Sequence, residues 1–90
     1  MSETTEHKVK RLSMRSMRRG IKEMDLILSA FAADHLAAMD DAGLSLYDAM
    51  LDENDHDLYQ WVTAQFEPPA AYAGLIDEIR NHVAEGSVQP

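Results

Sequence analysis

The residues whose types and spacing most suggest chemistry are an arginine, a glycine and a glutamate, arranged as Arg19-Gly20-x-x-Glu23. A guanidinium can bind a carboxylate or a phosphate through two parallel hydrogen bonds. A glycine beside it lets a second backbone approach closely, because it has no Cβ. The glutamate can accept a cation or a hydrogen-bond donor. Together the three residues indicate a small surface that binds another molecule.

A purely structural interpretation of the same residues stays open. Gly20 would allow close packing where two helices meet, and Glu23 would stabilise a helix N-terminus. Arg19 would then form a surface ion pair of under about 1 kcal/mol. A five-residue pattern is short, so spacing alone favours this structural interpretation.

The basic residues are concentrated at one end of the chain. Seven of the eight lie between Lys8 and Lys22, which gives residues 1–22 a net formal charge of about +5. Residues 23–90 hold fourteen acids and one base, Arg80, a net charge of about −13. Such sorting predicts a partner that is steered towards the basic end of the protein.

Composition excludes or disfavours several classes of function. The chain has no cysteine, which excludes disulfides, thiol chemistry and cysteine-ligated zinc. The basic segment lacks aromatic residues for stacking on bases, and the net charge of −8 repels a polyanion, so we expect no nucleic-acid binding. No run reaches about 18 apolar residues, and the basic segment lacks an apolar face, so we expect no membrane insertion.

Two patterns that could bind a metal do not fit their templates. An EF-hand loop starting at Asp52 needs a glycine sixth and a glutamate twelfth, where this chain has Asp57 and Thr63. We therefore interpret residues 52–57 as a solvated, helix-capping linker. The histidines lie at no metal-ligand or catalytic spacing; they are His7, His35, His56 and His82. We predict no metal site and no catalytic residue.

The elements that must position these residues are helical throughout, because apolar residues recur at intervals of three and four. We predict an all-α fold, a compact single-domain bundle of five short helices over residues 8–86. A flexible N-terminal tail at 1–7 and a C-terminal tail at 87–90 flank it. The first three helices are expected at roughly 8–19, 21–38 and 41–52, and the last two on either side of Pro68-Pro69.

Several details of these helices are specific enough to check. The first helix should lean against the core rather than fill it, because Val9 and Leu12 make a poor stripe. Asp40 is the expected N-cap of the third helix, and Gly86 the expected stop of the fifth. The fourth helix should be capped by Asn54 or Asp55. The side chains expected to face the core also include those of His35, Leu58, Trp61, Val62 and Phe66.

The amino-terminal residues predict a cytoplasmic location. Residues 1–6 include two glutamates and no apolar stretch, unlike a secretory signal or a mitochondrial presequence. The absence of cysteine fits a reducing compartment.

Two segments resemble a known family. Arg18-Arg19-Gly20-Ile21-Lys22-Glu23-Met24-Asp25 is similar to the R-R-G-x-x-E-x-D signature of the SdhE family, the succinate dehydrogenase assembly factors. Downstream, Asp55-x-Asp57-Leu58-Tyr59-x-Trp61 resembles that family's D-x-D-L-[FY]-x-W segment. The likeness covers about residues 9–83, and both motifs occur in order and at the right spacing. The aromatic residue that the family carries just before the signature is absent here.

The resemblance implies a function for these residues. Members of the family bind the flavoprotein subunit of succinate dehydrogenase, and in bacteria often that of fumarate reductase. They promote covalent attachment of FAD to a histidine of this client and are not themselves enzymes. We expect this chain to bind no cofactor stably and to act on FAD that the client holds. By position, Arg19, Gly20 and Glu23 would form the client-contact core, which Arg18 and Asp25 would support.

Two other classes of function stay open. Some members of that family carry an antitoxin label, which suggests an alternative: a regulatory protein that binds a cytoskeletal or nucleic-acid partner. A small enzyme is the other alternative, although no residue pattern recommends it.

Overall fold

The computed structural model describes residues 3–86, and this part of the chain is helical, with no strand. The five helices are α1 Thr5–Arg15, α2 Lys22–His35, α3 Asp41–Met50, α4 Asp55–Val62 and α5 Ala73–Ala84. Short 3-10 turns at Leu36–Ala38 and Ala70–Tyr72 precede α3 and α5. The predicted all-α bundle of five short helices is therefore confirmed. The predicted tail at 87–90, like residues 1–2, lies outside the described residues.

All five helices contribute to one apolar core. Tyr47 and Phe31 are its largest fully buried side chains, and Leu12 of α1 is as completely buried as they are. Leu12 is the one buried residue within α1, so the expectation that this helix leans against the core rather than filling it is confirmed. The other buried apolar residues are Met24, Ile27, Leu28, Ala32, Leu36, Leu44, Met50, Leu51, Leu58, Trp61, Val62, Leu75, Ile76 and Ile79.

The first helix begins and ends earlier than the predicted range of 8–19. Thr4 is its N-cap, with Oγ1 accepting a hydrogen bond from the His7 N–H at 3.1 Å, so the helix starts inside the segment predicted as a tail. It ends at Arg15, and Arg18 has the left-handed φ of 56°. A left-handed residue ends a right-handed helix, so the chain turns sharply before α2.

Two predicted capping residues are confirmed. Asp40 is the N-cap of α3, where its Oδ1 accepts from the Gly43 N–H at 2.8 Å. Gly86, with a φ of 77°, follows the last residues of α5 in the left-handed conformation that glycine adopts readily. Asn54, rather than Asp55, caps α4 through a hydrogen bond from the His56 N–H.

The fourth helix is shorter than the apolar pattern predicts. It ends at Val62, and Ala64 has the left-handed φ of 64°, which turns the chain outward. Phe66 is therefore 60% exposed, and the prediction that it faces the core is wrong. Arg80 of α5 donates from Nε to the Trp61 carbonyl at 2.8 Å, which satisfies a backbone acceptor at the end of α4.

A small aromatic cluster joins α2 to α5. His35 is half-buried and stacks on Phe31 with ring centroids 4.5 Å apart, so the expected core-facing register holds only in part. His82 is buried edge-on against both rings, and its Nε2 lies 2.7 Å from an Asp34 carboxylate oxygen. Among the helices of residues 3–86, none has the length and apolar character of a membrane span.

Candidate functional site

Three of the four lysines and arginines of α1 are paired within the molecule, mostly with acids of α3. The Lys8 Nζ lies 3.0 Å from an Asp41 carboxylate oxygen, and an Arg11 nitrogen lies 3.0 Å from Asp48. Because these charges neutralise one another, the sorted charge docks α1 onto α3. The expectation of a free cationic face that steers a partner is therefore wrong for these residues. The same ladder of ion pairs includes Arg15–Asp48, Arg15–Asp52 and Arg11–Glu3.

Asp48 is the central acid of this ladder. Its carboxylate accepts hydrogen bonds from both Arg11 and Arg15. The hydrogen bond from Arg11 is the main cause that holds the pKa of the Asp48 carboxyl below its usual value. The charged form of Asp48 is thus favoured by folding, and it fastens α1 near the segment that carries the arginine–glycine–glutamate pattern.

Arg19 points into the molecule rather than towards solvent. Its side chain is only 12% exposed, and its Nε and Nη2 atoms lie 2.8 and 2.7 Å from Oδ1 of Asp55. The remaining donors are used as well: Nη1 donates to the Arg15 carbonyl at 3.0 Å and Nη2 to the Leu51 carbonyl at 3.1 Å. The guanidinium therefore connects α1, the end of α3 and the start of α4.

Gly20 binds the same carboxylate through its backbone. Its N–H donates to Oδ2 of Asp55 at 2.6 Å, so Asp55 holds two consecutive residues of the motif. A Cβ built on Gly20 would lie 3.0 Å from that oxygen, closer than side chains normally approach. The structure thus supplies an internal reason for glycine at this position. We call the Asp55 carboxylate, the Arg19 guanidinium and the Gly20 N–H the Asp55 latch.

The position of Asp55 suits this role. It is the first residue of α4, where the positive end of the helix favours a carboxylate, and its side chain is 17% exposed. Sequence reasoning interpreted this stretch as a solvated linker and missed the contact. The available signal was an acid in the second family-like motif and an arginine in the first, which had been assigned to the client instead.

The remaining site residues predicted from sequence divide between solvent and interior. Arg18 and Glu23 are exposed, and among the described residues neither forms an ion pair with the chain's own charged groups. Asp25 is half-buried and accepts a hydrogen bond from the Ser29 hydroxyl at 3.2 Å. We call residues 18–23 the binding corner. Arg18, Gly20 and Glu23 are its solvent-facing residues, and their role in contacting a partner stays a prediction.

Apolar side chains lie beside this corner in the sequence and point into solvent. Met14 is 66% exposed and Met17, next to Arg18, is 51% exposed. Methionine is common on surfaces that bind partners, because its side chain is flexible and polarizable. The sequence signal for this exposure was that both methionines lie off the apolar stripe of α1.

A buried polar contact lies beneath the corner. The Ser16 hydroxyl donates to the Leu12 carbonyl at 2.8 Å and lies 2.6 Å from the Tyr47 hydroxyl. Burial raises the pKa of Tyr47 to about 12, so the phenol stays neutral near pH 7. Elsewhere, an apolar groove of about 590 Å³ lies between the start of α3 and α5. Within residues 3–86 no group of three histidine or acidic side chains is placed to hold a metal ion.

Comparison with known proteins identifies relatives over most of the chain. Residues 10–83 match the family model described as flavinator of succinate dehydrogenase. A protein of Meyerozyma guilliermondii, named succinate dehydrogenase assembly factor 2, mitochondrial, is 48% identical over 65 residues, which are 72% of this chain and 48% of that protein. A protein of the same name from Cryptococcus neoformans is 40% identical over 81 residues, 87% of this chain and 46% of the relative.

This chain spans about half the length of the curated relatives it matches. The relatives also correct one prediction. Each is named a mitochondrial protein, as is a relative from Candida glabrata that is 46% identical over 67 residues, so the predicted cytoplasmic location is contradicted.

Proposed function

Because this chain belongs to the family described as flavinator of succinate dehydrogenase, we propose that it is an assembly factor for that enzyme. In this proposal it binds the flavoprotein subunit of succinate dehydrogenase, and that of fumarate reductase where the cell has one, and promotes covalent attachment of FAD. It performs no reaction of its own. Relatives named as assembly factors of succinate dehydrogenase support the enzyme as the client.

The exposure of Arg18 and Glu23 beside the Asp55 latch is the observation that carries the proposal. A cation and an anion are held on a short turn whose neighbouring residues are fixed by hydrogen bonds. A preorganised pair of this kind loses little conformational entropy on binding. Met14 and Met17 supply exposed apolar surface close by in the chain. The arrangement suits a client surface that has complementary charges and an apolar border.

Two groups of the corner that could hold the diphosphate of FAD are already engaged within the chain. A diphosphate is usually held by guanidinium groups and backbone N–H groups. Here the Arg19 guanidinium and the Gly20 N–H are already bound to Asp55. We therefore propose that FAD stays with the client throughout. The flavin supplies the electrophilic carbon that a client histidine attacks, and this chain contributes only binding.

In mechanistic terms the chain would act on the conformation of its client. Binding Arg18 and Glu23 to client groups favours the arrangement in which the histidine and the flavin are in contact. The shift is limited by the difference in affinity for the competent and incompetent arrangements. Contacts made only in the competent arrangement therefore raise the rate of flavin attachment.

The direct test uses the purified apo-flavoprotein subunit, FAD and this protein, with covalent flavin measured by in-gel fluorescence. We expect the wild-type protein to accelerate attachment and Glu23→Ala to slow it by about tenfold or more at limiting concentration. Glu67→Ala removes an exposed acid from the connection before α5 and is the matched control. Equal rates with and without the wild-type protein would refute the proposed function.

The ion pairs of the basic segment disfavour the nucleic-acid form of the alternative, a regulator that binds nucleic acid or a cytoskeletal protein. Lys8, Arg11 and Arg15 are paired with acids of the same chain. A surface neutralised in this way releases few counterions on binding a polyanion.

A further inference from the structure

We propose that Asp55 is a positioning residue of the binding corner, which sets the conformation in which Arg18 and Glu23 meet the client without touching the client itself. The inference rests on the proposed function and adds to it a residue from a different part of the chain. It also assigns Arg19 a different role from the one expected from sequence: an internal connection rather than a client contact.

The hydrogen bonds of the Asp55 carboxylate carry the argument. One oxygen accepts from the Arg19 guanidinium and the other from the Gly20 N–H, so both oxygens are bound to residues 36 and 35 positions earlier in the sequence. Charge-assisted hydrogen bonds of this kind are short and strong. They fix the backbone on the C-terminal side of Arg18, and the Arg19 bond to the Arg15 carbonyl fixes it relative to α1.

The backbone of Arg18 shows what the latch maintains. Its φ of 56° lies in the left-handed region, which a residue with a Cβ seldom occupies. Such a conformation persists only when the surrounding structure determines it. With Asp55 removed, Arg18 is free to relax to an ordinary conformation. The relaxed turn would change where its guanidinium lies relative to Glu23.

The test is Asp55→Asn, which keeps the size of the side chain and removes its charge. We expect the concentration of this protein that gives half-maximal flavin attachment to rise by about tenfold or more, and the rate at saturation to change little. A higher half-maximal concentration with an unchanged rate at saturation indicates weaker binding to the client rather than slower flavin attachment. In the same variant the amide proton of Gly20 should lose the downfield NMR shift that a hydrogen bond to a carboxylate produces.

Two control variants separate positioning from stability. Asp57→Asn makes the same chemical change in the same turn of α4, at an exposed side chain, and should leave the half-maximal concentration within about twofold. Val62→Ala destabilises α4 from the core side without touching the latch. At equal folded concentration it should behave like the wild-type protein.

The outcomes are distinct from those that bear on the proposed function. If the wild-type protein does not accelerate flavin attachment, the proposed function fails. The positioning role is refuted by a different result. In that result the wild-type protein accelerates flavin attachment, and Asp55→Asn gives the same dependence on concentration although its Gly20 amide signal has shifted. If Asp55→Asn does not fold, Asp55→Glu, which retains the carboxylate, replaces it. The positioning role would also be refuted if Asp55→Glu showed the wild-type dependence on concentration although the NMR signal of its Gly20 amide proton had moved.

Discussion

Ser16 and Tyr47 meet through their hydroxyl groups, 2.6 Å apart, inside a core that is otherwise almost entirely apolar. The contact joins the end of α1 to the middle of α3, and the Ser16 hydroxyl is also bound to the Leu12 carbonyl. Every hydroxyl of the pair thus has a partner, which buried polar groups require. The pair places the last turn of α1, and hence the start of the binding corner, against the core.

Tyr47 should make the protein sensitive to alkaline pH. Burial raises the pKa of its phenol to about 12 in the folded state, whereas an unfolded tyrosine titrates near about 10. The folded state therefore holds the proton more tightly, and stability falls as the pH rises through about 10 towards 12, by at most about 1.4 kcal/mol per pH unit.

Urea unfolding from pH 7 to 11 measures this effect. Tyr47→Phe should cost about 1 kcal/mol at pH 7 and give a shallower alkaline decline. Tyr59→Phe removes a half-buried phenol outside the pair and serves as the control. Parallel alkaline declines for Tyr47→Phe and the wild type would contradict the assignment.

Asp48 should be the main cause of the fall in the free energy of unfolding at acid pH. Its folded pKa is lowered chiefly by the Arg11 hydrogen bond, so the stability it contributes is fully present above its unfolded pKa of about 3.9. That contribution is lost as the pH falls through the folded pKa. Asp48→Asn should lower the free energy of unfolding by about 1 kcal/mol at pH 7, and the difference from wild type should shrink as the pH falls below about 3.9.

The measurement for Asp48 is urea unfolding at a series of pH values from 7 to 2.5. Glu67→Gln, at an exposed residue, is the matched control and should follow the wild-type curve. A difference between Asp48→Asn and wild type that is constant with pH would show that charge is not the cause.

Substitutions at Gly20 should separate two effects of a side chain there. Gly20→Ala and Gly20→Arg introduce the same Cβ, 3.0 Å from an oxygen of Asp55, so both should change the free energy of unfolding by about 1 kcal/mol or less. Only the arginine also occupies the solvent side of the corner. We expect Gly20→Arg to abolish flavin attachment in the client assay and Gly20→Ala to retain a measurable part. Equal activity in the two variants would place the client elsewhere.

Arg18 offers a variant that gains stability and loses function. Arg18→Gly removes the Cβ from a residue in the left-handed conformation, which relieves strain in the folded state. Glycine also gives the unfolded chain more conformational freedom, which offsets part of this gain. The net result should be a rise of up to about 1 kcal/mol in the free energy of unfolding. Without the exposed guanidinium, the client assay should show slower flavin attachment. Arg18→Lys keeps the charge and should retain activity; if it is as inactive as Arg18→Gly, charge alone does not explain the role of Arg18.

Sequence patterns predicted the number and type of helices because capping chemistry and apolar spacing are local. Asp40 and Gly86 were assigned correctly for this reason. The boundaries near Arg18 and Ala64 were missed because both residues take a left-handed conformation that their types do not suggest. The misplaced Phe66 follows directly from the turn at Ala64.

The candidate site could be located from sequence, and its internal geometry could not. The two motifs correctly indicated the family, since the family model matches residues 10–83. Nothing in the spacing, however, places Asp55 against Arg19, because that contact depends on how α1, α3 and α4 pack. The same limit explains why the basic segment was expected to be free, whereas three of its seven basic residues are paired across α1 and α3.

Because ion pairs join α1 to α3, the attachment of α1 to the rest of the bundle should depend on ionic strength. Leu12 and the half-buried Val9 provide only a narrow apolar attachment, and the remaining contacts are largely partly exposed ion pairs that salt screens. In concentrated salt this helix should exchange its amide hydrogens with solvent sooner than α5 does. The binding corner follows that helix, so recognition of the client should weaken at high salt concentration even though the rest of the bundle stays folded.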